Sequence, residues 1–164
     1  MKPKWWNKGK THLYKRDKVM RKLLSVYKGH LTTRNNFFYS LTRSITSQQI
    51  SVSAADSVFS KFEKKCKGKI NPKIVSRLTI MDLRRCGLSR MKALGIKSLA
   101  NKILDKSFNP KLIKKMSDEE AINYLSSLRQ IGRWSSEMVL IFFYNRPNIW
   151  PVQDIGLLRA ISNN

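Results

Sequence analysis

Cysteine occurs only twice in this chain, at Cys66 and Cys86. Two thiols exclude a disulfide framework, a four-cysteine zinc site and a cysteine-ligated iron–sulfur cluster, and they suit a reducing compartment. Histidine is equally scarce: His12 and His30 both lie in the N-terminal stretch, and no HExxH, GxSxG or glycine-rich Walker pattern occurs. Metallohydrolase, triad hydrolase and nucleoside-triphosphate chemistries therefore lack their residues. No apolar run approaches the ~20 residues of a membrane span. The opening MKPKWWNKGK has charge but no apolar signal core. The protein is expected in the cytoplasm, off the membrane. Sustained period-two alternation is missing too, so the fold class reads as all-α.

Acidic residues are the most telling shortage. Ten Asp and Glu face 33 Lys and Arg, a net charge of +23. Like charge at that density repels itself in a compact chain, and a polyanion, nucleic acid above all, relieves it. The bland alternative is a lysine-biased, solvated surface. Hydrophobic residues make up 41% of 164 positions, enough for a packed core in one domain spanning 1–164, or at most two small lobes around a cleft.

Apolar spacing and turn residues divide the chain into about eight to ten short helices. Residues 1–36 hold eleven Lys or Arg and one acid, Asp17. Asp17 reads as the N-cap of a helix with Val19, Met20, Leu23, Leu24 and Tyr27 on one face, ended by Gly29. Asn36 opens a helix bearing Phe37, Phe38, Leu41 and Ile45. Ser51 opens another, in which Val52, Ala55, Phe59, Phe62 and Cys66 form a stripe stopped by Gly68. Asn71 with Pro72 starts a short helix, Thr79 starts one that stops at Gly87, and Ser89 caps a run to Leu104 with Gly95 inside it, a residue that weakens a helix.

Ser117 and Glu120 have capping-box spacing and open a helix to Leu128. Four residues, Arg129 to Gly132, separate it from a second helix with Met138, Ile141 and Phe142. A helix–hairpin–helix over about 117–144 follows, and its turn and helix N-terminus offer backbone N–H groups to a phosphate without reading sequence.

Among the carboxylates Asp154 stands apart, embedded in IWPVQDIGLLRAI after Pro151 and before a helical pattern. Locally it reads as an N-cap of the last helix. That role is compatible with a second one, since a helix N-terminus keeps a carboxylate ionised beside a developing cation.

The stretch LSSLRQIGRWSSEMVLIFFYNRPNIWPVQDIGLLRA, from Leu125 to Ala160, resembles the hairpin and aspartate loop of the helix–hairpin–helix (HhH-GPD) DNA glycosylase superfamily. SITSQQISVSAA and LRRCGLSRMKALGIKSLA resemble the corresponding segments of its 3-methyladenine DNA glycosylase II branch. The likeness runs over about residues 5–160, with three motifs in order.

The resemblance implies two helical lobes around a cleft, with a basic N-terminal segment over residues 1–36 and an aspartate loop and final helix at 145–164. It implies a monomeric enzyme acting on damaged double-stranded DNA that flips out alkylated purines and hydrolyses their N-glycosidic bond. Asp154 is then the catalytic carboxylate. Trp134, Met138 and Trp150 line the base pocket; Arg129, Gln130, Ile131, Gly132, Arg133 and Ser135 hold the DNA backbone; Gln48, Gln49 and Ile50 are candidates to fill the gap left by the flipped base. Trp134 is equally readable as core, and either glutamine as an ordinary polar turn. No cofactor and no catalytic metal are implied, although carbonyls of Gln130 and Gly132 are candidates for a monovalent cation. Strand-nicking relatives carry a lysine nucleophile where this chain has Trp134, so base removal without strand cleavage is expected.

Two departures stand out. The family turn usually reads Pro-Gly-hydrophobic-Gly, whereas here it is Arg129-Gln130-Ile131-Gly132, which strains Gln130 if its φ is positive. The sequence also ends ten residues after Asp154, where relatives continue, so Leu157, Leu158 and Ile161 are expected on a final helix with an incomplete partner. Two rivals remain: a non-catalytic DNA-binding relative, and an RNA-binding protein that accounts for the charge alone.

Overall fold

The computed structural model describes residues 2–163. Among them there are ten α-helices and one 3-10 segment, and no strand. The helices are α1 (Trp6–Arg16), α2 (Lys18–Val26), α3 (Phe37–Ser47), α4 (Val52–Lys65), α5 (Pro72–Arg77), α6 (Ile80–Arg85), α7 (Arg90–Leu104), α8 (Asp118–Ser126), α9 (Arg133–Phe142) and α10 (Ile155–Ser162), with the 3-10 segment at Pro110–Lys115. No helix is long and apolar enough to cross a membrane among the described residues.

Most helices begin where the sequence supplies a side-chain oxygen. Asp17, Asn36, Ser51, Asn71, Thr79, Ser89, Ser117 and Asp154 each accept the backbone N–H three residues on. Each such cap contributes about 1 kcal/mol. Thr79 with Asp82 and Ser117 with Glu120 form full capping boxes. Helix α9 starts instead at Gly132, which has no side chain to cap with.

Helix α3 is the central element and packs on α4, α7 and α9. Its Phe37, Phe38, Leu41 and Ile45 join Phe59, Phe62, Leu83, Ile96, Leu125 and Leu140 in one cluster of buried side chains. Even its polar face is covered, and Ser40 and Thr46 satisfy their hydroxyls by donating to carbonyls one turn back. Cys66 and Cys86 sit in the same core, and burial pushes the Cys66 thiol up to about 11.

Three sequence expectations are corrected. The helix capped by Asp17 ends at Val26, not at Gly29, and buries none of its residues, since its nine residues pack chiefly against α1, which is itself unburied. Tyr27 lies beyond it in extended backbone and is exposed. The helix expected to Leu128 stops at Ser126, and the hairpin turn is correspondingly longer. Helix α1 had no sequence signal, having neither a cap nor a clear apolar stripe. Helix α10 forms, and none of its residues is buried.

Gly95 lies inside α7 without ending it. A Cβ at that position would stand 2.8 Å from Cγ of Gln130, so glycine permits the hairpin to press against the helix.

Candidate active site and nucleic-acid interface

Four segments converge on a cleft of about 1050 Å³: the α3–α4 turn at Gln48–Val52, the start of α7, the hairpin with the start of α9, and the Gln153–Gly156 segment leading into α10. Trp134 and Asp154, twenty residues apart in sequence, meet inside it. The Trp134 indole Nε1–H donates to Asp154 Oδ2 at 2.8 Å, while Oδ1 accepts the Leu157 N–H at 2.8 Å. Asp154 is thus N-cap and cleft carboxylate at once. The Leu157 backbone bond, then the Trp134 bond, lower its pKa further than partial burial raises it. At neutral pH the group is an anion held by two donors, with lone pairs left for a cationic sugar or a water.

The hairpin offers a site for a phosphate. No side chain caps α9, so its first-turn N–H groups lack a side-chain acceptor at the positive end of the helix dipole. Ile131 is buried and anchors the turn. Gln130 adopts φ +66°, the left-handed backbone that glycine favours. Arg129 is exposed, with its guanidinium 3.9 Å from Met91 Sδ, and its charge is open to DNA. Arg133 differs: its guanidinium bonds Glu119 at 2.6 and 3.0 Å and Glu137 at 3.1 Å, so its charge is already balanced. What Arg133 offers a phosphate is its backbone N–H, at the first position of α9. Ser135 is buried, and its hydroxyl accepts from Gln48.

The α3–α4 turn distinguishes its three residues. Gln48 Nε2 donates to the Gln130 carbonyl at 2.8 Å and to Ser135 Oγ at 3.0 Å. Gln49, at φ +55°, and Ile50 are both exposed. Gln48 ties the turn to the hairpin, and the other two face solvent from the cleft. The carbonyls considered for a monovalent cation have partners here: Gln130 O accepts Gln48, and Gly132 O accepts both the N–H and the hydroxyl of Ser136 at 3.0 Å. Both lone pairs of the Gly132 carbonyl are therefore engaged, whereas the Gln130 carbonyl has one donor. No group of three or more His, Cys, Asp or Glu suited to a metal occurs among the described residues.

Met138 and Trp150 do not line this cleft. Met138 sits one turn beyond Trp134 and is half-buried, and Trp150 is 63% exposed in the loop before Pro151. Residue type and proximity in sequence favour both, but neither reports the direction of a side chain.

The model of the HhH-GPD superfamily of base excision DNA repair proteins matches residues 42–163. This chain belongs to that superfamily. Among its relatives, the alkylbase DNA glycosidase-like protein mag2 of Schizosaccharomyces pombe is 35% identical over 121 residues, covering 71% of this chain and 57% of the relative. DNA-3-methyladenine glycosylase 1 of the same yeast is 28% identical over 157 residues, covering 92% and 69%. The solved complex of S. pombe 3-methyladenine DNA glycosylase with abasic DNA superposes with a TM-score of 0.79 at 28% identity, over 92% of this chain and 76% of that one. A Clostridium acetobutylicum 8-oxoguanine glycosylase/lyase reaches a TM-score of 0.83 at 20% identity, which speaks for the fold alone. The chain spans a little over half of one curated relative and about two thirds of the other.

Within this HhH-GPD domain, two cleft residues carry no clear mark in the sequence. Lys92, from α7, is half-buried against the α3–α4 turn and donates to the carbonyls of Thr46 at 2.9 Å and Gln48 at 2.6 Å. Burial lowers its pKa. Nothing distinguishes it in sequence from the many other lysines. Arg159 projects from α10 into the cleft beside Asp154. Its spacing of five residues from the aspartate is the one signal that could have found it.

Proposed function

We propose that this chain is a monofunctional DNA glycosylase of base excision repair, which extrudes an alkylated purine of the 3-methyladenine or 7-methylguanine type and hydrolyses its N-glycosidic bond. One observation carries the reading: an ionised aspartate held by a tryptophan N–H in a cleft adjoining an uncapped helix N-terminus. Duplex DNA is the substrate and the enzyme works as a monomer.

The hairpin amides and Arg129 grip the backbone, and Gln49 or Ile50 enters the gap left by the base. Trp134 presents a π-face to the cationic base, an attraction of roughly 0.5–2 kcal/mol. Alkylation has already weakened the bond to the sugar. As it lengthens, positive charge develops on the sugar, and the Asp154 anion stabilises that charge and orients the water that completes hydrolysis.

Strand cleavage through a Schiff base would need a free amine facing the sugar. The cleft amine is Lys92, and two of its three N–H donors are engaged by the Thr46 and Gln48 carbonyls, which tether it to the α3–α4 turn. The backbone therefore stays intact.

The test is release of 7-methylguanine from a duplex, with strands analysed without alkali. Release with an intact strand, lost in Asp154→Asn, supports the reading. Tight duplex binding without release of any alkylated base would make the chain a non-catalytic DNA-binding relative.

A further inference from the structure

Two residues beside the cleft each break a local rule, and each accounts for the other. Gln130 holds φ at +66°, a backbone that side chains seldom adopt. Gly95 sits in the interior of α7, where alanine ordinarily makes a helix more stable. A Cβ on Gly95 would stand 2.8 Å from Gln130 Cγ, 2.9 Å from Gln130 Cβ and 3.1 Å from the Arg129 carbonyl oxygen. The glycine is kept free by the turn pressed against it.

The same face of α7 carries a second hold three residues earlier. Lys92 Nζ fastens the end of α3 through the Thr46 and Gln48 carbonyls. Gln48 then reaches across with its side chain to the Gln130 carbonyl and Ser135 Oγ. Lys92, Gln48, Gln130 and Gly95 close a ring of contacts in which α7 seats both the hairpin and the α3–α4 turn. The distance between those two turns is set by how closely Gln130 approaches Gly95.

We infer that Gly95 and Gln130 are a matched positioning pair that places the hairpin carbonyl within reach of Gln48, so that the hairpin and the α3–α4 turn engage DNA as one unit. This rests on the duplex-binding reading above. Neither residue touches the reacting bond.

The test is a double-mutant cycle with Gly95→Ala and Gln130→Gly, read by thermal midpoint and by affinity for an undamaged duplex at fixed salt. Gly95→Ala alone lowers the midpoint, opposite in sign to an ordinary Gly→Ala change in a helix, and weakens duplex binding at least tenfold. In the Gln130→Gly background, which removes both clashing carbons and leaves only the Arg129 carbonyl oxygen at 3.1 Å, the same change lowers the midpoint less than it does in the parent and costs binding less than threefold. In a Gln48→Ala background the binding loss from Gly95→Ala likewise falls below threefold, because the tie it disturbs is already gone.

A Gly95→Ala protein as stable and as tight-binding as the parent overturns the pair, as does a loss undiminished in the Gln130→Gly background. A loss undiminished in the Gln48→Ala background overturns the link to the α3–α4 turn. If the parent binds no duplex even at low salt, the nucleic-acid reading fails, and the thermal cycle still decides whether the two residues are matched.

Discussion

Helices α3 to α9 and helix α10 carry similar apolar patterns and end in opposite conditions. The first group shares one continuous core, whereas α10 leaves Ile155, Leu158 and Ile161 exposed. Yet α10 bears the residue on which the proposed chemistry depends. Asp154 is held by two hydrogen bonds, one from its own helix and one from Trp134, rather than by surrounding bulk. Stability and chemistry are thus separated in this domain: the core holds α9 through Val139 and Leu140, and Trp134 at the start of that helix holds the aspartate.

That separation can be broken most sharply at Asp154. Asp154→Asn keeps the shape and a capping oxygen but removes the charge, and base release in single turnover is expected to fall on the order of 10³-fold with little change in the thermal midpoint. The opposite pattern is expected in the core, where Phe62→Ala should destabilise the fold by about 3–5 kcal/mol in denaturant titration.

An intermediate effect falls at the joint between the two regions. Trp134→Phe deletes one donor to a carboxylate, a loss of about 1.5–3 kcal/mol in the anion's hold, which should slow base release about 10- to 100-fold. It also has a pH signature. Asp154 has a pKa depressed below the ordinary 3.8, so its stabilising contribution is complete above the unfolded value and is lost as pH falls through the folded one. In the parent the acid limb of the rate profile attributable to this group lies below 3.8, and in Trp134→Phe it moves upward. A profile that stays in place would separate the indole from the carboxylate's titration.

The smallest change is expected at the exposed face of α10, where Leu158→Ala should alter stability by no more than about 0.5 kcal/mol. A larger cost in the same titration would mean that this face is covered in solution, and the contrast between the two regions would then narrow.

Much of the framework is readable from sequence because its determinants are local. Ser117 and Glu120, Thr79, Ser89 and Asn36 all start helices as their spacing implies, since a cap needs only a side-chain oxygen and an N–H three residues away. Asp154 declares both its capping role and its oddity within one apolar loop. Helix α1 lacks such signals and is invisible in the pattern, and the face assigned to α2 is periodic without being buried. Periodicity states which residues share a face, and says nothing of whether anything covers it.

The sequence by itself determined the helices other than α1, the hairpin and the aspartate at a helix start, because these depend on neighbours within a turn of backbone. Tertiary structure alone decided that Trp134 reaches Asp154, that Gln48 spans 82 residues to the Gln130 carbonyl, that Gly95 makes room for Gln130, and that Met138 and Trp150 stay out of the cleft. Those outcomes depend on the direction in which each side chain leaves a packed helix, and direction is set by the core rather than by spacing along the chain.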